Sequence, residues 1–297
     1  MRHSPESRNI WQRGTARHCA IGEGQVAVVT GAGSGLGRAL ACELAARGVR
    51  LALSDMDDIG LAETVRRAQR FGATVRADRL DVTDRPGVLA YADAVATQFG
   101  TVNLVINNAG IAFTGDVLEL AFTDIEHVMD VDFWGVVNGT KAFLPHLIDS
   151  GDGHLVNISS LFGLMGTPSQ GAYNAAKFAV RGFTEALRQE MLIARHPVQV
   201  TCVHPGGVKT AIARNAGAVP GRDAAALGEF FGNRLARMSA ERAARTILRG
   251  VERGRARVLV GIDAWLLDVL VRLTGSGYQR VTAAAAKRAM PRAKTSA

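Results

Sequence analysis

The feature that most constrains this chain is a regular alternation of two hydrophobic patterns. Short apolar, β-rich runs at residues 25–30, 49–54, 74–80, 103–107, 153–159, 198–203 and 258–260 are separated by longer stretches of helical periodicity, among them 37–47, 61–71, 88–99 and 122–149. A run that is apolar on both of its faces belongs to a strand covered on both sides, and parallel strands need a crossover that is usually a helix. The alternation therefore predicts an α/β fold with one parallel sheet of about seven strands and helices on both faces. At 297 residues the chain exceeds the common domain size, yet doubly wound sheets of about 250 residues form single units. Neither a repeat nor a Pro/Ser-rich linker divides it. One domain is expected at 25–261, with a basic extension at 1–24 before it and an apolar helix with a basic tail at 262–297 after it.

Location matters more than total for the net charge of +8. Residues 1–24 carry four arginines against two glutamates, residues 272–297 carry six basic residues and no acidic one, and residues 25–271 are formally neutral. A neutral body with no aromatic-interleaved basic patch points away from nucleic acid, and the basic ends read as solvated tails. Cys19, Cys42 and Cys202 show no ligand or redox spacing. Cys42 and Cys202 read as small core residues, and scattered thiols fit a reducing compartment. Residues 1–24 lack the apolar core of a secretory signal, and no apolar run approaches the ~18 residues of a membrane span, so the cytoplasm is the expected location.

The first strand runs into Thr30-Gly31-Ala32-Gly33-Ser34-Gly35-Leu36-Gly37, which opens a helix. Glycines let the backbone approach a pyrophosphate, and the free N–H groups of a helix N-terminus attract it. In this context the sheet is of the doubly wound Rossmann type, binding its ligand at the carboxyl ends of the strands. Asp55 ends the second strand 18 residues after Gly37, where a carboxylate can accept the ribose hydroxyls of NAD and repel the 2′-phosphate of NADP. Ser34 and Met56, at positions suited to a basic partner for that phosphate, are not basic. NAD is therefore favoured over NADP. Helix capping is the rival role for Asp55, although Asp57 or Asp58 suits it better.

Further along, Tyr173 and Lys177 stand four residues apart in a helix-forming segment that continues to about residue 194. That spacing puts both side chains on one helical face, where an ammonium would lower the phenol from its usual pKa near 10 toward a useful proton donor-acceptor. Ser160 closes the strand at 153–159, so its hydroxyl belongs at the carboxyl edge of the sheet, beside a nicotinamide.

Taken in order, these motifs make the chain resemble the short-chain dehydrogenase/reductase family across residues 25–261. The resemblance implies that Gly31, Gly33, Ser34, Gly35, Leu36 and Gly37 form the cofactor turn, and that Asp81 and Val82 contact the adenine. It implies that Asn107-Asn108-Ala109-Gly110 is the family's NNAG segment, with Asn108, Ala109 and Gly110 at the cofactor. Ser160, Tyr173 and Lys177 match the catalytic serine, tyrosine and lysine, the last two also touching cofactor. Pro205, Gly206, Val208 and Thr210 match the segment that holds the nicotinamide carboxamide and phosphates. An alcohol dehydrogenase or carbonyl reductase follows, without a metal and homo-oligomeric as a dimer or tetramer. In one place the pattern breaks. Where the family has an asparagine that helps hold a water against the lysine, this chain has Asp132, and Asn138 lies six residues on. A carboxylate there would favour a protonated Lys177 if the two are close.

The substrate pocket is expected to be lined by Leu161, Phe162, Leu164, Met165 and Thr167, with residues 211–237 either a lid or a plain surface segment. An apolar lining suits an aliphatic or ring-bearing secondary alcohol or ketone. The expected reaction is NAD-dependent interconversion of such a pair, with Tyr173 as acid and base. The alternatives are an NADP-dependent carbonyl reductase and a non-catalytic NAD-binding module. The apolar run 262–273 reads first as packing against a neighbouring subunit, given Asp263 and Asp268 within it, and second as a helix lying on anionic lipid.

Overall fold

The computed structural model describes residues 20–209, 212, 216–220 and 238–289. Thr210, Cys19 and nearly all of the expected lid at 211–237 lie outside them. The main sheet contains seven strands: β1 (Val26–Thr30), β2 (Arg50–Asp55), β3 (Val75–Arg79), β4 (Leu104–Asn107), β6 (Gly153–Ile158), β7 (Val198–Pro205) and β9 (Arg257–Val260). Their spatial order is β3-β2-β1-β4-β6-β7-β9, and every pairing is parallel. A two-stranded ribbon, β5 (Phe113–Thr114) with β8 (Gly217–Ala218), stands apart from it. All seven expected runs are strands, displaced by a residue or two at their ends.

Period-two alternation divides the core into two layers. Along β1, Ala27 and Val29 join a cluster with Leu40 and Leu44 of α1 (Gly35–Ala45) and Ile247 and Leu248 of α7 (Ala240–Glu252). Val26 and Val28 point the other way. They join Val95 of α3 (Arg85–Phe99), Phe143 and Leu147 of α5 (Gly135–Asp149), and Leu187 of α6 (Gly171–Ala194). Each fully buried aliphatic side chain contributes about 1.5–3 kcal/mol, so the two apolar faces of the strands hold both helical layers in place. The remaining N-terminal crossover helix is α2 (Asp58–Gln69), capped by Asp57, which accepts the Gly60 N–H at 3.0 Å. Capping thus falls to Asp57 and leaves Asp55 at the end of β2.

Residues 122–149 are helical throughout, as expected, but not uniformly α-helical. They divide into α4 (Phe122–Met129), a π-helical turn (Asp130–Trp134) and α5. Such bulges concentrate at functional sites because the extra residue re-aims a side chain. Here it carries Asp132. Gly135 follows directly, where a Cβ would come within 2.6 Å of the Val82 side chain. Of the thiols, Cys202 is buried as expected, whereas Cys42 is only half-buried because it lies at the flank of α1. Beyond β9 come α8 (Ile262–Thr274) and α9 (Tyr278–Ala289).

Candidate active site

At the end expected to take the adenosine, the turn after β1 folds back against the turn after β4. Gly31 has φ +65, and a Cβ there would lie 2.7 Å from the Ala109 Cα. Thr30 Oγ1 accepts the N–H groups of Asn108 and Ala109 at 3.0 and 3.1 Å, while the Asn108 amide donates to the Thr30 and Gly31 carbonyls. The glycine turn and the Asn108-Ala109-Gly110 turn are therefore one unit. Ser34, at the N-cap of α1, makes no capping bond with its side chain, and the first helical turn contains no acid. Helix N–H groups left uncapped in this way suit a pyrophosphate.

Asp55 is half-buried beside the turn. Its Oδ2 accepts the Gly33 N–H at 2.7 Å and its Oδ1 the Asp57 N–H at 2.9 Å, leaving lone pairs for ribose hydroxyls. A Cβ on Gly33 would lie 2.8 Å from this carboxylate. Arg38, unnoticed in the sequence, braces the turn: its guanidinium donates to the Gly33 and Gly60 carbonyls and to Thr64 Oγ1. Asp81 Oδ1 accepts from the Thr83 N–H, and the Val82 carbonyl is held by Asn138 at 3.0 Å. Asn138 thus serves the expected adenine pair rather than Lys177. These residues fit a dinucleotide.

The reaction end is drier. Ser159 and Ser160 follow β6 and diverge: Ser159 Oγ donates to the Lys177 carbonyl at 2.8 Å, whereas Ser160 Oγ accepts the Phe162 N–H at 3.1 Å and lies near enough to Tyr173 to draw its phenol down. Lys177 Nζ lies 5.5 Å from the centre of the Tyr173 ring and 3.4 Å from the Ile158 carbonyl. Ser160, Tyr173 and Lys177 are brought together, as their order along the chain predicts.

Asp132 completes the group. Its side chain is 0 % exposed, its Oδ1 accepts the Ile111 N–H at 2.7 Å, and its Oδ2 faces Lys177 Nζ at 3.2 Å. Burial raises the Asp132 carboxyl above its ordinary range, against the pull of Lys177. Burial alone would lower Lys177, but Asp132 and Tyr173 outweigh it and hold the ammonium protonated. Tyr173 departs from expectation. Burial raises it most, Lys177 and Ser160 draw it down, and Asp132 pushes it up again, so the phenol sits above its usual value. The lysine acts in the expected direction but is offset by desolvation and by its own counter-ion.

On the expected substrate side, the loop after Ser160 is fastened from two directions. Asn174 Oδ1 accepts the Thr167 N–H at 3.0 Å, and its amide donates to the Phe162 and Met165 carbonyls at 2.8 and 2.9 Å. From the other side, the Tyr278 hydroxyl of α9 accepts the Gly166 N–H at 2.9 Å. Leu161, Phe162 and Thr167 are partly exposed, while Leu164 and Met165 are buried and support the loop from beneath. The Phe162 ring meets Tyr173 edge-on at 6.1 Å. His204, also missed in the sequence, is fully buried and donates from Nδ1 to the Ser160 carbonyl at 2.9 Å. Burial lowers its pKa to about 4, so it stays neutral behind the serine. Pro205 ends β7, and Asp263 accepts the following Gly207 N–H at 2.6 Å. A Cβ on Gly206 would strike the Asp263 carboxylate, and Val208 bridges to Met238.

The chain is similar to known proteins. The chain is 65% identical over 272 residues to SadH of Mycobacterium tuberculosis, a protein named as an oxidoreductase, covering 92% of this chain and 99% of that one. A short chain dehydrogenase/reductase from Burkholderia phymatum, crystallised with NAD, superimposes with a TM-score of 0.81 at 32% identity, covering 86% of this chain and 95% of its own. An alcohol dehydrogenase from Thermococcus sibiricus, complexed with 5-hydroxy-NADP, gives a TM-score of 0.65 at 26% identity over 79% of this chain and 95% of its own. The family model for short chain dehydrogenases matches residues 25–220. With the seven-stranded sheet and the glycine turn, these findings carry one conclusion: the chain belongs to the short-chain dehydrogenase/reductase family of oxidoreductases.

Proposed function

We propose that this chain is an NAD-dependent oxidoreductase that interconverts a secondary alcohol and its ketone, the substrate being apolar and aliphatic or ring-bearing. The observation that carries the reading is the Lys177 ammonium, 5.5 Å from the Tyr173 ring and one helical turn along, with Ser160 near enough to the phenol to lower it. Bound NAD supplies the hydride acceptor and, once reduced, the donor. In alcohol oxidation Ser160 orients the substrate oxygen and Tyr173 Oη takes the hydroxyl proton. In ketone reduction Tyr173 returns a proton to the same oxygen. Lys177 stabilises the phenolate that forms between these steps. Asp132 keeps Lys177 protonated and takes the place of the family's asparagine. Asp55, at the end of β2, provides the preference for NAD through its ribose contacts.

One observation favours NADP as a second reading. Arg79 is the register partner of Asp55 across β2 and β3, although it pairs with Asp58 at 3.4 Å. A panel of secondary alcohols and ketones, assayed with NAD(H) and NADP(H) by the absorbance of reduced nicotinamide, tests both readings. NAD-linked turnover of apolar substrates is expected. Binding of NAD without turnover of any substrate, in buffer or with lipid vesicles present, would leave a non-catalytic module.

A further inference from the structure

The C-terminal helix pair leaves an apolar surface uncovered. Of the thirteen residues of α8, only Ala264 is buried. Ile262, Trp265, Leu266 and Leu273 recur at helical spacing and form one stripe, with exposures of 76%, 56%, 54% and 81%. Val281 of α9 is also exposed. Neither acid of α8 interrupts this stripe. Asp263 turns inward to the Gly207 N–H at 2.6 Å. Asp268, its side chain only 14% exposed, sits between Arg257 and Arg272 at 3.9 and 2.9 Å. Arg272, Arg280 and Lys287 are exposed around the stripe, and residues 272–297 contain six basic residues and no acid.

We propose that this stripe seats α8 in the headgroup layer of an anionic lipid bilayer, with the exposed Arg280 and Lys287 of α9 on the lipid phosphates. An apolar face bordered by cations is the composition of a helix that lies in the membrane plane. Trp265 suits that depth, since its indole has an apolar body and one N–H donor. None of the described helices is long and apolar enough to cross a membrane, so the contact is in-plane. A second copy of the chain is the competing occupant. A two-fold contact would set the same patch against itself and leave the exposed Arg280 and Lys287 with no anionic surface to meet. Anionic lipid turns the same charge into attraction. The acids that argued for subunit packing are engaged within the protein, and the objection to lipid goes with them.

Placement gives this docking a consequence. Asp263 ties α8 to the segment after β7, and Tyr278 ties α9 to the loop after Ser160. A membrane-seated helix pair would therefore border the expected substrate pocket. Resting on the proposed function, an apolar alcohol or ketone would reach the pocket from the bilayer.

Flotation of the full chain with phosphatidylcholine vesicles, with and without phosphatidylserine, tests the docking without any assay of turnover. Flotation with the anionic vesicles is expected, at least about tenfold above the double variant Leu266→Glu/Leu273→Glu, and weakening as salt rises. Thermal unfolding and NAD binding check that the variant is folded. Should it not fold, Arg280→Gln/Lys287→Gln, on exposed positions, is expected to lower flotation several-fold. Equal flotation of wild type and folded variants, or no flotation with either vesicle, overturns the proposal. So does a variant that loses a dimer on light scattering while lipid binding is unchanged, since that assigns the stripe to a second copy.

Discussion

The two ends of the cleft are built on opposite principles. Around Asp55 the binding groups are backbone N–H groups and half-exposed side chains, and water reaches the carboxylate. Around Tyr173 the charged groups are shut away: Asp132 and Lys177 form a buried pair, and the phenol is buried with them. The comparison teaches where each kind of chemistry belongs. Recognition of a large, hydrated dinucleotide tolerates an open site with many weak contacts. Proton transfer depends on a few charges whose mutual influence grows as water is removed.

Substitutions at the dry end are expected to have the largest effects. Tyr173→Phe is expected to lower turnover by about 10²–10⁴-fold while NADH binding, followed by the fluorescence of its reduced nicotinamide, is retained. Retained turnover would break the contrast between the two ends. Asp132→Ala leaves Lys177 buried without its counter-ion, and a loss of about 3–5 kcal/mol in chemical denaturation is expected.

Asp132→Asn is gentler, because an amide keeps the shape and still receives the Ile111 N–H through its oxygen. Turnover is expected to survive within about 10²-fold, and a greater loss would show that the carboxylate has a proton-transfer role of its own. The sign of the pH effect follows from the charges. Asp132 raises Tyr173, so removing it lowers the phenol and moves the rising limb of alcohol oxidation to lower pH. A limb moving to higher pH would mean that Lys177 had lost its proton instead.

At the open end Asp55→Ser is expected to shift the ratio of kcat/KM for NAD over NADP by at least about tenfold toward NADP, since it removes a like charge from the 2′-phosphate position. An unchanged ratio would remove Asp55 from cofactor choice. The smallest effect is expected at the loop between the two ends. Tyr278→Phe deletes the bond to Gly166, and a rise of about fivefold in KM for the alcohol or ketone, with KM for NAD unchanged, corresponds to about 1 kcal/mol.

Much of the fold and part of the site are legible in the amino-acid sequence. Strands with two apolar faces allow few arrangements, so the seven-stranded parallel sheet followed from pattern alone. Tyr173 and Lys177 were legible as a pair because one helical turn aligns them, and Ser160 was legible because the family resemblance marks it beside them. The long-range contacts were not legible. Tyr278 reaches Gly166 across 112 residues, and nothing near either residue announces it. Asn174 and His204 act through hydrogen bonds to the loop after Ser160 and to the Ser160 carbonyl, which no local pattern announces. The direction of the Tyr173 shift needed the extent of burial, which spacing does not contain.

Short-range order, then, was determined by the sequence itself. Periodicity sets each element, glycines at Gly31 and Gly37 permit the turn, and four-residue spacing aligns the phenol with the ammonium. Tertiary structure decided what depends on distant neighbours and on the exclusion of water. It paired Asp132 with Lys177, turned Asp263 and Asp268 inward from an apolar helix, and raised the tyrosine that the lysine by itself would have lowered. The physical reason is that backbone preference acts along the chain, whereas desolvation and Coulomb interaction act through space.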